Sequence, residues 1–284
     1  MYFYTALQWI MFFFIYCFFG WIWESCYVSV QKKRWVNRGF LHLPMLPLYG
    51  SGAVMMLFVS LPVKDNLFLV YLAGVIAATA LELVVGLGME ALFKVKYWDY
   101  SKDKFNYKGV ICLKSSMFWG VLTLFLTEIA QAPLEKLVCG MPYVLLVILT
   151  AVIGAAFLYD TYISTKAALD LAKVLAAMER AKEEAALQLK ALEEKAENMA
   201  GSVSQRFETT KEELAKDYRE RREALVRSSQ EKIGELLEKA HTVSKGMAKR
   251  NPTLTSRQYG ESIHKLHNKA AALREKRKRK SYRK

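Results

Sequence analysis

Residues 67–93 read LFLVYLAGVIAATALELVVGLGMEALF, an apolar run interrupted by two charges, Glu82 and Glu90. At about 1.5 Å per residue, such a run crosses an apolar layer of roughly 30 Å as a helix with length to spare. Four more runs flank it, at 3–30, 40–61, 115–130 and 137–163; of the five in chain order, the fourth, 115–130, is near the short limit for a span. The charges between the runs alternate. Lys32, Lys33, Arg34 and Arg38 follow the first run, and Lys94, Lys96, Lys102, Lys104, Lys108 and Lys114 follow the third, against Asp99 and Asp103. The segments after the second and fourth hold only Lys64 with Asp65, and Glu135 with Lys136. Lys and Arg stay on the cytoplasmic side, so the pattern predicts an outside N-terminus and an inside C-terminus. The expected fold is all-α: a polytopic bundle of five transmembrane helices over residues 1–164, followed by a long cytoplasmic helical tail.

Composition divides the chain at the same place. Residues 1–164 carry 12 Lys/Arg against 9 Asp/Glu, and residues 165–284 carry 29 against 18. Most of the formal charge of +14 therefore belongs to the tail. Beside a bilayer, a basic tail meets anionic lipid headgroups, at about 1 kcal/mol per Lys or Arg near the surface; nucleic acid is the rarer partner. The four cysteines, Cys17, Cys26, Cys112 and Cys139, lack any CxxC spacing and predict neither a metal site nor a disulfide framework. The first run has no basic segment before it and ends in a basic patch, which predicts a retained helix rather than a cleaved leader.

Charges inside the runs are the candidate functional residues. Glu82, Gly86 and Glu90 fall at i, i+4 and i+8, so the two carboxylates share a helix face about 12 Å apart along the axis. A carboxylate in hydrocarbon costs at least about 2.5–3.5 kcal/mol, so such residues turn inward, neutralise or pair. Gly86 and Gly88 predict a close neighbouring backbone at that depth. Glu24 ends a Tyr16, Gly20, Glu24 stripe and predicts a pair with Arg34 or Arg38. The candidate polar cavity is Glu24, Arg38, Glu82 and Glu90; a purely structural hydrogen bond from Glu82 is the competing reading.

Two connecting segments are unusual. Gly39, Pro44, Pro47, Tyr49 and Gly50 precede or open the second run, and two prolines three apart forbid a regular helix through Leu46. They predict a broken or re-entrant start to that helix, covered by protein or a wet cavity. Trp98, Asp99, Tyr100, Ser101 and Asn106 lie in a Lys- and aromatic-rich loop suited to the headgroup region.

The strings Gly20-Trp21-x-x-Glu24, Val36-Asn37-Arg38-Gly39-Phe40-Leu41 with Pro44, Pro47, Tyr49 and Gly50, and Leu81-Glu82 with Gly86 and Glu90 follow one another in order. Trp98-Asp99-Tyr100-Ser101, Phe105-Asn106, Gly109, Ile111-Cys112-Leu113 and Phe118-Trp119-Gly120 continue them. In combination they resemble a bacterial family of ABC-transporter type IV permeases, over roughly residues 10–160. One position departs: Leu43 stands where that family has glycine. The resemblance implies a transporter permease subunit of the bacterial plasma membrane. The loop containing Trp98 would be the place where a separate ATPase couples.

Residues 165–250 are rich in Ala, Glu, Lys, Leu and Arg and predict helix. Leu171, Leu175, Met178, Ala185, Leu189 and Leu192 form a thin, alanine-rich seam, so any coiled coil is weak. The phase drifts after Gly201-Ser202, which predicts a joint near 200–205. Residues 251–284 are expected to hold a short amphipathic segment and a polybasic, disordered end.

No GxxxxGK[ST] loop occurs, so ATP is not bound here in the Walker manner, and HExxH and GxSxG are absent as well. No cofactor, no metal and no catalytic set is expected. The leading expectation is a permease subunit, not an enzyme, that forms a polar path as a homo-oligomer and is driven by an ATPase supplied in trans. The alternative is a membrane-anchored scaffold or adaptor acting through its coiled-coil tail. An insertase-like role rests on topology alone.

Overall fold

The structure is a computed structural model that describes residues 4–203, 208–244, 250–251, 254–256, 259–265 and 268. In chain order the elements are α1 (Ala6–Lys32), α2 (Pro47–Ser60) with a 3-10 turn (Leu61–Val63), α3 (Leu67–Phe93), the strands β1 (Asn106–Tyr107) and β2 (Ile111–Cys112), α4 (Leu113–Phe125), a π turn (Leu126–Ala130), α5 (Gln131–Cys139), α6 (Tyr143–Val203) and α7 (Glu208–Ser244).

Local chemistry sets the helix ends. Thr5 and Gln8 form a capping box at the start of α1, each side chain bonding the other's backbone N–H. At the far end Lys33 turns left-handed with φ 48° and closes onto Ser29 and Val30 carbonyls. The Asn66 side chain accepts from the Phe68 and Leu69 amides to open α3. Pro47 opens α2, where a missing N–H costs nothing. At the start of α4 the Cys112 sulfur accepts from Ser115 N.

Four helices are long and apolar enough to cross a membrane: Ala6–Lys32, Leu67–Phe93, Leu113–Cys139 and Tyr143–Met199. The second run makes the shorter apolar helix Pro47–Val63, because Pro44 and Pro47 keep residues 40–46 out of it. The fourth run continues past Ala130 through the π turn to Cys139, so Glu135 and Lys136 ride on a helix rather than in a loop. The fifth helix begins at Tyr143, not 137, and does not stop at 163: α6 runs unbroken to Val203. It has no linker at 164, since residues 165–203 hold no proline and no helix-ending glycine.

The chain divides into two units, Met1–Leu169 with Gly246–Gln258, and Asp170–Lys245 with Tyr259–Lys284. In the first unit α3 packs on α4 and α2, and α1 on α2. Met11, Phe12, Tyr16, Ala53, Met56, Leu57, Trp119 and Leu126 form its core. In the second, burial along α6 continues to Ala181 and Leu187 is exposed, so the expected seam is buried only over its first part. Glu179 and Lys182 of α6 meet Ser262 and Glu261, and Glu184 pairs with Lys232 of α7 at 3.0 Å. The described parts of α6 and α7 end at Val203 and begin at Glu208; residues 204–207, on which the expected joint near 200–205 partly falls, lie outside the described ones. Residues 260–265 are helical; the expected polybasic end, 276–284, lies outside the described residues.

Candidate functional site

At the end of the first unit where α1 and α3 finish and α2 begins, a cavity of about 190 Å³ lies beneath the connecting segments. Glu24, Arg38 and Glu82 all line it, with Gly39, Pro47, Tyr49, Trp98 and Tyr100. These residues span three helices and two loops, and the fold brings them to one place.

Glu82 is 2% exposed. Trp119 Nε1 donates to its Oε2 at 3.0 Å, and Ser115 Oγ donates to Oε2 at 3.0 Å and Oε1 at 3.3 Å. Tyr100 OH donates to Oε1 at 3.1 Å. Ser115 and Trp119 stand four apart on α4, so one helix face carries both donors. Burial, and then the nearby Glu82 carboxylate, push the Tyr100 phenol pKa above its ordinary value and keep it a donor.

Glu24 is held differently. Arg38 Nε lies 3.3 Å from its Oε1, and Tyr49 OH donates to Oε2 at 3.0 Å. Arg38 is 7% exposed; its Nη2 donates to the Tyr97 carbonyl at 2.9 Å and its backbone N to Ser25 Oγ at 3.1 Å. Nη1 is buried with no hydrogen-bond partner among the described residues. A buried, unsatisfied donor is costly unless something else fills it.

The loop before α2 is tied down on both sides. Leu46 N donates to Cys17 O at 2.9 Å. Asp160 of α6 accepts from His42 N at 2.8 Å and Leu43 N at 2.7 Å, and its other oxygen lies 2.8 Å from His42 Nδ1. Leu43 does not take a positive φ, so the glycine of the resemblance is not required there, whereas Gly39 does, at 147°.

The lysine-rich loop is folded rather than spread flat. Val95, Tyr97 and Val110 are buried, and Trp98 Nε1 donates to Val110 O at 2.8 Å. Asp99 accepts from Ser101 N at 3.0 Å, and Asn106 Oδ1 from Gly109 N at 3.0 Å. Asp99, Ser101 and Asn106 therefore build the turns that set Trp98 and Tyr100 on the cavity, without lining it. Pro44 and Gly50 are also outside the lining; Gly50 lies tight against Cys17 and Phe13 of α1. Glu90 is not on the cavity either, although the preceding residue, Met89, lines it; neighbouring residues point about 100° apart around a helix.

A segment from late in the chain completes the site. Asn251 lines the cavity and donates from Nδ2 to Gly39 O at 2.9 Å. Thr255 pairs with Lys96 as an antiparallel bridge, N to O at 2.8 and 3.0 Å, and Ser256 Oγ donates to Lys94 O at 2.6 Å. Sequence reading missed Ser115, Trp119, Asp160 and Asn251 as parts of this site. The first pair left one signal, two hydrogen-bond donors at i and i+4 in an apolar run, and Asp160 left another, a charge near the end of the last run. Among the described residues, no three of His, Cys, Asp and Glu converge as metal ligands would.

A family model described as "Putative ABC-transporter type IV" matches residues 11–165, more than half of the chain and every cavity-lining residue but Asn251. The chain belongs to that family. No curated protein matches it, and no solved structure does. With its four long apolar helices, this member of the type IV family is a transporter-like membrane protein.

Proposed function

We propose that this type IV family member is the permease subunit of an ABC-type transporter in the bacterial plasma membrane, with its N-terminus outside and its tail in the cytoplasm. It is not an enzyme. Pro47–Val63 serves as a fifth membrane helix, and the cavity around Glu82 and the Glu24–Arg38 pair is part of the transport path. Five helices are few for a path, so a homo-oligomer forms it. The chain has no nucleotide-binding loop of its own, so an ABC ATPase acts in trans. It couples through the segment that carries Trp98, Asp99, Tyr100, Ser101 and Asn106, and the basic tail rests on anionic headgroups.

The observation that carries this reading is the cavity itself. One buried carboxylate, one half-buried carboxylate and a buried arginine are kept at one end of an apolar bundle, where apolar side chains would pack at lower cost. Isolation from native membranes after mild crosslinking tests it. Capture of a nucleotide-binding ATPase through residues 95–112 is the expected outcome. Self-association alone, or partners crosslinked only through the tail, would remove the reading.

A scaffold role is the second reading, favoured by one observation: α6 continues from its apolar part through residue 203 without a break.

A further inference from the structure

Three features of the cavity, taken together, point to its ligand. Glu24 and Arg38 face each other and cancel in charge, yet Arg38 Nη1 is left over, buried and without a partner among the described residues. It is a fixed donor for an acidic oxygen. Glu82 accepts from three neutral donors, and no cation among the described residues pairs with it.

Aromatic side chains line the same cavity as these two charges, with Leu46, Leu48, Val85 and Met89. Tyr49, Trp98, Tyr100 and Trp119 line the cavity, and the Tyr49 and Trp119 rings stand 5.7 Å apart. Each has its polar atom engaged elsewhere: Tyr49 on Glu24, Trp98 on Val110 O, Tyr100 and Trp119 on Glu82. What they have left to offer a ligand is ring carbon, and ring faces near a carboxylate suit an organic ammonium. The volume, about 190 Å³, is several times the roughly 30 Å³ of a water and below the ~300 Å³ at which drug-sized pockets begin.

We propose that the cavity binds a small zwitterion, with its ammonium toward Glu82 among the aromatic rings and its acidic oxygen on Arg38 Nη1. This rests on the reading of the cavity as a transport path, because it names the class of cargo or lipid headgroup held there. The same chemistry reaches a membrane protein as a free amino-acid-like solute or as the ethanolamine headgroup of a phospholipid.

The test is calorimetric titration of the delipidated full chain in detergent with phosphoethanolamine, ethanolamine and ethyl phosphate. Phosphoethanolamine is expected to bind at least tenfold more tightly than either half-molecule, and Arg38→Lys to lose at least tenfold of that binding while eluting as a single species. Should the variant not fold, the three-ligand comparison on the unmodified protein still decides. Displacement by dihexanoyl phosphatidylethanolamine supports the class and assigns the source to lipid; no displacement supports it and assigns a free solute. No binding by any probe, or a half-molecule binding as tightly as the zwitterion, would overturn the proposal. The measurement needs no ATPase and no flux, so its failure leaves the permease reading standing. Intact binding in a chain that never captures an ATPase would remove the permease reading alone.

Discussion

Glu82 concentrates the question at the scale of single residues, because it receives donors from two elements while lying deep in an apolar helix. Replacing it with Gln keeps its shape and removes its charge. The expected result is loss of transport with unchanged assembly on size exclusion; loss of the folded protein instead would make Glu82 a structural hydrogen-bonding group. Trp119→Phe takes away one buried donor and keeps the ring. A hydrogen bond to a charged group is worth about 1.5–3 kcal/mol, so a loss in that range is expected in denaturant titration of the detergent-solubilised protein. No change would mean that Trp119 contributes only packing. Glu24 and Glu82 were legible in the sequence because a charge in an apolar run is expensive and needs a reason, and Arg38 was legible as a partner for Glu24. Ser115 and Trp119 were not, and Asp160 was legible as a charge but not by its role. Each acquires that role from a partner 33, 37 or 118 positions away.

Helix packing separates glycines that look alike in the sequence. Gly86 and Gly88 lie on the same helix and were both expected to admit a close neighbour. A Cβ on Gly86 would collide with Val110, while around Gly88 there is open space. Gly86→Val is expected to destabilise by about 1–3 kcal/mol, the usual range for overpacking. Gly88→Ala is expected to be neutral or to stabilise by up to about 1 kcal/mol through helix propensity. The same denaturant titration checks both, and equal effects would contradict the packing of α3 against the strand loop. In the second unit, Lys265 and then Lys182 lower the Glu261 carboxyl pKa from 4.5 to about 2. Its contribution to stability is present above its ordinary titration range and is lost as pH falls through about 2. Hydrogen exchange in residues 260–265, corrected for intrinsic rates, should accelerate toward that pH, and Glu261→Gln should flatten the dependence. At the scale of elements, the sequence announced the prolines that delay α2, whereas the boundary expected at 164 is crossed by an unbroken α6. The sequence did not announce that α4 and α5 join through a π turn, because that depends on which side chains the bundle packs on either side.

At the scale of the whole molecule, the cavity draws on the first part of the chain and on a late segment together. Deleting residues 165–284 would test tail against membrane half if the two were separable, but Asn251 lines the cavity and Thr255 pairs with Lys96. Such a truncation removes part of the site. Removing only residues 269–284 keeps Asn251, Thr255 and Ser256. The shorter deletion is expected to leave transport intact and to weaken binding to vesicles containing anionic lipid; loss of transport would place a working part in the polybasic end. What the sequence determined by itself was the membrane class, the helical character and the charges that need company. Hydropathy and backbone hydrogen bonding in lipid are decided within one segment, since every N–H and C=O must be satisfied there or nearby. The tertiary structure alone decided which donors surround Glu82, which loop Asp160 holds, and that a segment some 210 residues downstream meets Gly39. Those are pairings of side chains across the chain, and no local pattern records them.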